Sequence, residues 1–171
     1  INVGGKRKIK MDDLKALFAQ LNYQDIATYI QSGNVLFSTP KELDIPEEAK
    51  KIEGAILDQF TFEVPVIIRK SRDLESIIKG NPFLEKGKAI ETLHLTFLSK
   101  IPSEEKREKI KSYDYAPDLF QIQGQEVYIY CEGKYHQTKL NNQFFEKKLG
   151  VSASTRNWKT LLKLKELAKN E

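Results

Sequence analysis

The first third of the chain combines a helical period of apolar residues with a strand pattern. A helix is predicted over residues 12–21, where apolar side chains recur at i, i+3, i+4 and i+7: Leu14, Leu17, Phe18 and Leu21. Residues 27–31 and 35–37 are rich in β-branched and aromatic side chains, which predicts two strands. Gly33-Asn34 lies between them and predicts a two-residue hairpin turn.

A second helix and a buried strand complete the first half. Pro46 is placed at the start of the predicted helix, because a first-turn proline lacks an N–H that the helix does not use. The continuous apolar run at residues 64–68 predicts a strand covered on both faces. One more strand in front would make the order βαββαβ, the ferredoxin-like unit. Because residues 1–3 are too short to span a sheet, we expect the chain to start inside a longer natural sequence.

The second half repeats this order after a connector helix that begins at Ser71. Strands are predicted at 92–98, 119–122 and 127–131, and helices at 103–111, 138–149 and 156–168. No closing strand is visible. The predicted fold class is therefore α+β, with two ferredoxin-like βαββαβ-type subdomains of which the first lacks its opening strand. The predicted domains are residues 1–70 and 71–171, the second including the connector and the C-terminal helix.

Composition places the chain among compact soluble proteins, with 40% hydrophobic and 30% charged residues. A single cysteine excludes an internal disulfide framework. No apolar stretch approaches the length of a membrane span and no signal sequence is visible, so we expect a cytoplasmic protein without a membrane partner. Oligomeric state is not indicated by the sequence.

Positive charge is concentrated at the two ends of the chain. Residues 1–10 carry four basic and no acidic side chains, and residues 147–171 carry seven basic and two acidic ones. If the fold brings the ends together, they form a basic surface suited to an anionic partner, either nucleic acid or a phosphorylated small molecule. The alternative is two unrelated solvated segments.

Three loops offer candidate anion-binding residues, each with a structural alternative. The Gly4-Gly5 turn could combine backbone N–H groups with cationic side chains, or could be a plain flexible loop. The hairpin turn could form a polar pocket wall or merely satisfy turn geometry. Near position 156 a cation is predicted in the first turn of the last helix, where it needs an internal acid or a bound anion nearby. The candidates are Lys6, Arg7, Lys8, Gln31, Asn34, Arg156 and Asn157.

Strand alternation predicts a second kind of site in the second half. If Leu93, Val127 and Cys131 face the helices, a polar and aromatic set faces the other way. Such a set on an open sheet could stack on nucleobases, as in RNA-recognition modules, or could pack across strands and be buried. The predicted stacking residues are His94, Tyr128 and Tyr130.

Four separated motifs carry a family resemblance: Ile-Asn-Val-Gly-Gly-Lys at 1–6, Thr-Tyr-Ile-Gln-Ser-Gly-Asn-Val at 28–35, Asn-Pro-Phe at 81–83 and Ser-Thr-Arg-Asn-Trp at 154–158. Together they resemble a bacterial family catalogued as domain of unknown function 1697. The resemblance implies two ferredoxin-like α+β subdomains. It also implies an apolar strand ending in Arg-Gly before the first motif, which this chain lacks. It supplies no activity and no catalytic residue.

Enzyme chemistry has little support from the residues. Cys131 and His136 are near each other in sequence, but Cys131 is in phase with a buried face. Two histidines and one cysteine without paired spacing do not indicate a zinc site, and no nucleotide-cofactor fingerprint is present. No cofactor or metal is therefore expected. Two functions stay open: a non-catalytic binding protein for a polyanion such as nucleic acid, and an enzyme or binding protein for a small phosphate- or carboxylate-bearing ligand.

Overall fold

The computed structural model describes residues 2–3 and 7–168, and the chain divides into two units. Unit 1 holds the described residues up to 66 and from 166 onward, and unit 2 holds residues 67–165. Both contain helices and strands, which confirms the α+β class. None of the described helices combines the length and the apolar composition that crossing a bilayer requires.

The described part of unit 1 has two antiparallel strand pairs, β1 with β2 and β3 with β4, and two helices. Their bounds are β1 Asn2–Val3, β2 Arg7–Lys8, α1 Met11–Gln20, β3 Gln24–Tyr29, β4 Asn34–Ser38 and α2 Ile45–Phe60.

Both predicted helices of unit 1 are confirmed. The carboxylate of Asp44 accepts a hydrogen bond from the Glu47 N–H at 3.0 Å, and so caps the start of α2. Pro46 occupies the first turn, as its spacing from the cap predicts. Each helix buries one apolar stripe: Leu14, Leu17 and Phe18 in α1, and Ile52 and Ile56 in α2.

The hairpin between β3 and β4 is confirmed, but its turn is longer than the two residues predicted. Residues 30–33 separate the strands, with φ of +51° at Ile30 and +88° at Gly33. Glycine adopts this left-handed backbone at no steric cost, whereas a β-branched residue is strained there. The hairpin therefore stores backbone strain at Ile30, whose side chain is exposed.

The strand predicted at residues 64–68 is wrong, since these residues lie outside every strand of the described chain. Their backbone groups bind side chains instead of a neighbouring strand. The Val66 N–H donates to the Glu53 carboxylate at 2.8 Å, and the Ile68 carbonyl accepts from the Arg69 guanidinium at 3.0 Å. Residues 64–68 are only half-buried, with Pro65 exposed, so this continuous apolar run indicates neither a sheet nor full burial.

Unit 2 has one four-stranded sheet and most of the helices among the described residues. Its elements are α3 Ser71–Lys79, α4 Pro82–Glu85, β5 Leu93–Leu98, α5 Glu104–Ile110, β6 Leu119–Gln123, β7 Glu126–Tyr130, α6 Asn142–Leu149, β8 Ala153–Asn157 and α7 Trp158–Ala168, with 3₁₀ turns at Ile90–Thr92 and Tyr135–Gln137.

The sheet of unit 2 contains a strand that the sequence did not reveal. Its order is β6-β7-β5-β8 with every pair antiparallel, and the succession from β5 to β8 is βαββαβ. The predicted absence of a closing strand is wrong, because β8 occupies that place. The last helix accordingly starts at Trp158 and not at Arg156, and α6 starts at Asn142 and not at residue 138.

Both faces of this sheet are covered by side chains of unit 2. One face carries Leu95 and Tyr128, which are register partners, and packs on α3, α4 and α7. The other face carries Ile129 and packs on α5 and α6. The buried helix side chains against the first face are Ile77, Phe83, Trp158 and Leu161, and those against the second are Ile110, Phe145 and Leu149.

Arg69 ties the start of unit 2 to one end of its sheet. Its guanidinium donates to the Glu126 carboxylate at 2.9 Å and to the carbonyls of Leu98 and Gln125 at 2.8 and 3.2 Å. It also lies 5.4 Å from the centre of the Phe97 ring. The planar fork of arginine can serve a carboxylate and backbone carbonyls together, so one side chain joins the end of β5 to the β6–β7 turn.

We expect Arg69→Ala to destabilise unit 2 by on the order of 3 kcal/mol, because it leaves a largely buried Glu126 carboxylate without its cation. Arg69→Lys should recover little, since an ammonium cannot reproduce the fork. Urea unfolding followed by the fluorescence of Trp158, the single tryptophan, measures the effect within unit 2.

The matched control is Arg72→Ala. Arg72 is exposed and lies 3.9 Å from the carboxylate of Asp73, so its loss should cost less than about 0.5 kcal/mol. Equal destabilisation by the two alanine variants would contradict the role assigned to Arg69.

Candidate anion-binding site

The first group of predicted anion ligands falls partly outside the described chain. Lys6 and the side chain of Arg7 are not among the described residues, and Lys8 is exposed. The Gln31 carboxamide donates to the Ile9 carbonyl at 2.8 Å. The Asn34 carboxamide is buried and donates to the Tyr29 carbonyl at 2.9 Å and to the Ser32 hydroxyl at 3.0 Å. In unit 1 the Asn34 amide bonds within the hairpin, and the Gln31 amide ties the hairpin turn to Ile9, the residue after β2.

The second group, Arg156 and Asn157, lies in unit 2 on β8. Arg156 pairs with Leu95 in the sheet, and its guanidinium donates to the Ser154 hydroxyl and to the Thr155 carbonyl, both at 2.8 Å. Burial lowers the pKa of Arg156. Since Arg156 is in a strand, the predicted conflict between its charge and a helix start does not arise.

Asn157 has a structural task at the start of α7. Its carboxamide oxygen accepts from the Thr160 N–H at 2.8 Å, which is the geometry of an N-cap. The sequence predicted this helix from residue 156, two residues too early. Because Gln31 and Asn34 belong to unit 1 and Arg156 and Asn157 to unit 2, their convergence on one ligand stays a prediction.

The predicted stacking face does not form. Tyr128 and Tyr130 lie on the same face as Leu95 and Leu93, their register partners, whereas His94 lies on the opposite face with Ile129. All three candidates are buried, with exposed fractions of 3% for Tyr128, 8% for Tyr130 and 9% for His94. Burial also raises the pKa of Tyr128 to about 12. The structure shows the alternative to base stacking, in which these side chains are buried by packing.

Cys131, which the sequence analysis weighed as a pair with His136, is buried, whereas His136 is exposed. His94 stacks on Tyr135 with ring centres 4.4 Å apart, and its Nδ1 has no hydrogen-bond partner among the described residues. Burial raises the pKa of Cys131 to about 11, which keeps it a thiol at neutral pH. Within the described chain, no group of three His, Cys, Asp or Glu side chains is placed to hold a metal ion.

A cationic cluster that the sequence did not predict surrounds Tyr113, which follows α5. The Lys148 ammonium donates a hydrogen bond to the Tyr113 hydroxyl and lies 4.1 Å from the centre of its ring. Lys147 on α6 and Lys109 on α5 also act on this hydroxyl through their charges. We call Lys109, Lys147, Lys148 and Tyr113 the Tyr113 lysine cluster.

Electrostatics at this cluster favour negative charge. The hydrogen bond from Lys148 lowers the pKa of Tyr113, and the charges of Lys148, Lys109 and Lys147 lower it further. A phenol becomes more acidic when its surroundings stabilise the phenolate. The same surroundings would stabilise a phosphate oxygen at this place.

No carboxylate among the described residues forms an ion pair with these lysines. Glu108, the residue before Lys109 on α5, pairs with Lys111 at 2.6 Å instead. The sequence indicated part of this cluster, since Lys147 and Lys148 belong to the basic C-terminal segment. It could not show that packing of α5 on α6 through Ile110 and Phe145 would add a lysine from another element.

Comparisons with known proteins identify one family and one solved structure of similar fold. A family model described as protein of unknown function (DUF1697) matches residues 1–128. The solved structure of conserved bacterial protein SP0830 from Streptococcus pneumoniae superposes with a TM-score of 0.72 at 19% identity, covering 98% of this chain and 93% of that chain. No curated protein sequence matches. At this identity the structural similarity shows a shared fold alone.

We expect Tyr113 to titrate below the ordinary tyrosine pKa, because three ammonium groups stabilise its phenolate. Lys148→Met should raise that pKa, since it removes both a hydrogen bond and a charge. Lys111→Met is the matched control, because Lys111 pairs with Glu108. NMR titration of ring-labelled tyrosine measures each hydroxyl separately, and an unchanged Tyr113 pKa in Lys148→Met would contradict the geometry.

His94 predicts a pH dependence of stability. Burial lowers its pKa in the folded chain, and the Thr92 carbonyl offsets only part of this. In the unfolded chain the pKa is about 6.5, so the unfolded state binds the proton first as pH falls. The stabilisation is complete above about pH 6.5 and is lost progressively below it.

The comparison variants are His94→Gln and His136→Gln, which replace the two histidines of the chain in turn. Urea midpoints at pH 7.5 and 5.5 should differ less in His94→Gln than in the original protein. The difference should be unchanged in His136→Gln, whose side chain is exposed. Equal effects of both variants would contradict the assignment to His94.

Proposed function

We propose that this chain, which belongs to the DUF1697 family of proteins of unknown function, is a non-catalytic binding protein for phosphate-bearing polyanions. The observation that carries the proposal is the Tyr113 lysine cluster. The Lys148 ammonium donates to the phenol oxygen, the charges of Lys109 and Lys147 act on the same hydroxyl, and no described carboxylate forms an ion pair with these lysines.

A polyanion fits this cluster better than a single small anion. Lys109 and Lys147 are exposed and Lys148 is half-buried, so the cluster is an open surface and not an enclosed pocket. Open cationic surfaces gain affinity by releasing counterions from many phosphates along a chain. A further lysine of α5, Lys106, would extend the contact.

The small-ligand alternative has less support among the described residues. It needs Gln31, Asn34, Arg156 and Asn157 to offer polar atoms to a ligand. Gln31 and Asn34 donate to backbone carbonyls of unit 1, and the carboxamide oxygen of Asn157 caps α7. A side chain with such a structural bond can bind a ligand only with its remaining polar atoms.

Lysines in the last turn of α6 also interact favourably with the negative end of the helix dipole. That interaction affects stability but predicts nothing about ligands. Binding and stability are therefore measured separately.

The test is binding of inorganic polyphosphate at increasing salt. Replacing Lys109, Lys147 and Lys148 together by glutamine should weaken binding roughly tenfold or more at low salt and flatten its salt dependence, because fewer counterions are released. Isothermal titration calorimetry gives the affinity, and circular dichroism verifies that the variant folds.

The control replaces Lys15, Lys41 and Lys50 of unit 1 by glutamine, which removes the same charge from exposed positions elsewhere. It should change the affinity less than about threefold, as expected for long-range charge alone. Equal losses in the two triple variants, or no binding at low salt, would remove the proposed function.

A further inference from the structure

Two tyrosine rings lie side by side at the Tyr113 lysine cluster. The rings of Tyr113 and Tyr115 are 23° from parallel, with centres 6.4 Å apart. The Phe144 ring of α6 meets both edge-on, at 5.7 Å from Tyr113 and 5.4 Å from Tyr115. All three rings are half-buried. Phe144 thus packs against two half-buried tyrosine rings beside the lysines, and Lys148 lies over the ring of Tyr113.

The carboxylates next to Tyr115 are engaged in the fold. Asp114 accepts a hydrogen bond from the Ala116 N–H at 3.0 Å. Asp118 accepts from the Glu132 N–H at 3.0 Å and from the Thr138 hydroxyl at 2.6 Å. These bonds hold both carboxylates on hydrogen-bond donors of the protein itself.

We propose that this surface binds single-stranded nucleic acid, with backbone phosphates on Lys109, Lys147 and Lys148 and an unpaired base on Tyr115. The inference rests on the proposed function and names the class of polyanion. Proteins that hold single strands combine a cationic track with aromatic faces on which bases stack. A duplex keeps its bases paired and stacked internally, so it offers Tyr115 nothing to bind.

The mode differs from that of RNA-recognition modules, although unit 2 shares their βαββαβ order of elements. Those modules stack bases on an open sheet, whereas both sheet faces of unit 2 are buried. The tyrosines that the sheet would have offered, Tyr128 and Tyr130, are replaced in this role by the ring of Tyr115 beyond the end of α5.

The experiment compares three fluorescein-labelled probes in one salt: a twelve-nucleotide oligothymidylate, an abasic strand of equal length, and a mixed-sequence duplex of twelve base pairs. Fluorescence anisotropy gives each affinity. We expect the oligothymidylate to bind about tenfold tighter than the abasic strand, the scale of one stacked base.

Tyr115→Leu should weaken oligothymidylate binding by about tenfold and leave the abasic strand unchanged, because leucine keeps apolar packing but loses the stacking face. Tyr29→Leu, in unit 1, is the matched control and should alter neither. Tyr115→Phe should retain the affinity of the original protein, since it keeps the ring.

The outcomes separate the two proposals. Equal binding of the oligothymidylate and the abasic strand, or tighter binding of the duplex, would overturn the single-strand inference while polyphosphate binding kept the proposed function. Loss of polyphosphate binding would remove both. If Tyr115→Leu does not fold, photo-cross-linking of the original protein to a 5-iodouracil strand decides: a cross-link at Tyr113 or Tyr115 supports the inference, and cross-links confined to other peptides overturn it.

Discussion

Burial of the unit 2 sheet on both faces leaves neither face of that sheet open to a ligand. The central strand β7 is inaccessible from Val127 to Tyr130, so its polar atoms must be satisfied inside the protein. The Tyr128 hydroxyl does this by donating to the Ile77 carbonyl at 2.8 Å. Arg156 is a charged side chain of this sheet, and burial lowers its pKa. Other charged groups of unit 2 lie at helix ends and turns. The Tyr113 lysine cluster and the Arg69 contacts both lie at such places.

Local structure in the helices and hairpins was readable from the sequence because it depends on neighbouring residues. The cap at Asp44 and the left-handed Gly150 that ends α6 act within a few positions of the elements they bound. β8 was missed for a local reason too. Its residues, Ala153–Asn157, are mostly small and polar, and the apolar period of α7 begins directly after them.

The sequence did not indicate the register between β5 and β7, and the wrong prediction of the stacking face follows from the wrong register. The predicted stacking face joined an even-numbered position of β5, His94, to even-numbered positions of β7, Tyr128 and Tyr130. In the structure Leu93 lies opposite Tyr130, which joins odd positions to even ones, and a shift by one residue exchanges the faces of a strand. β7 has Val127 and Ile129 at odd positions and Tyr128 and Tyr130 at even ones, so hydrophobic alternation could not decide which set shares a face with the leucines of β5. The lysine cluster was hidden similarly, because Lys148 reaches Tyr113 only through packing of α5 on α6.

The reactivity of Cys131 can report transient opening of the structure around it in unit 2. The thiol is the only one in the chain, is 1% exposed, and carries a pKa raised by burial. A small alkylating reagent can reach it only in molecules whose sheet has transiently separated from the residues that cover it. The alkylation rate of the unmodified protein therefore measures the opening equilibrium of this unit without an engineered label.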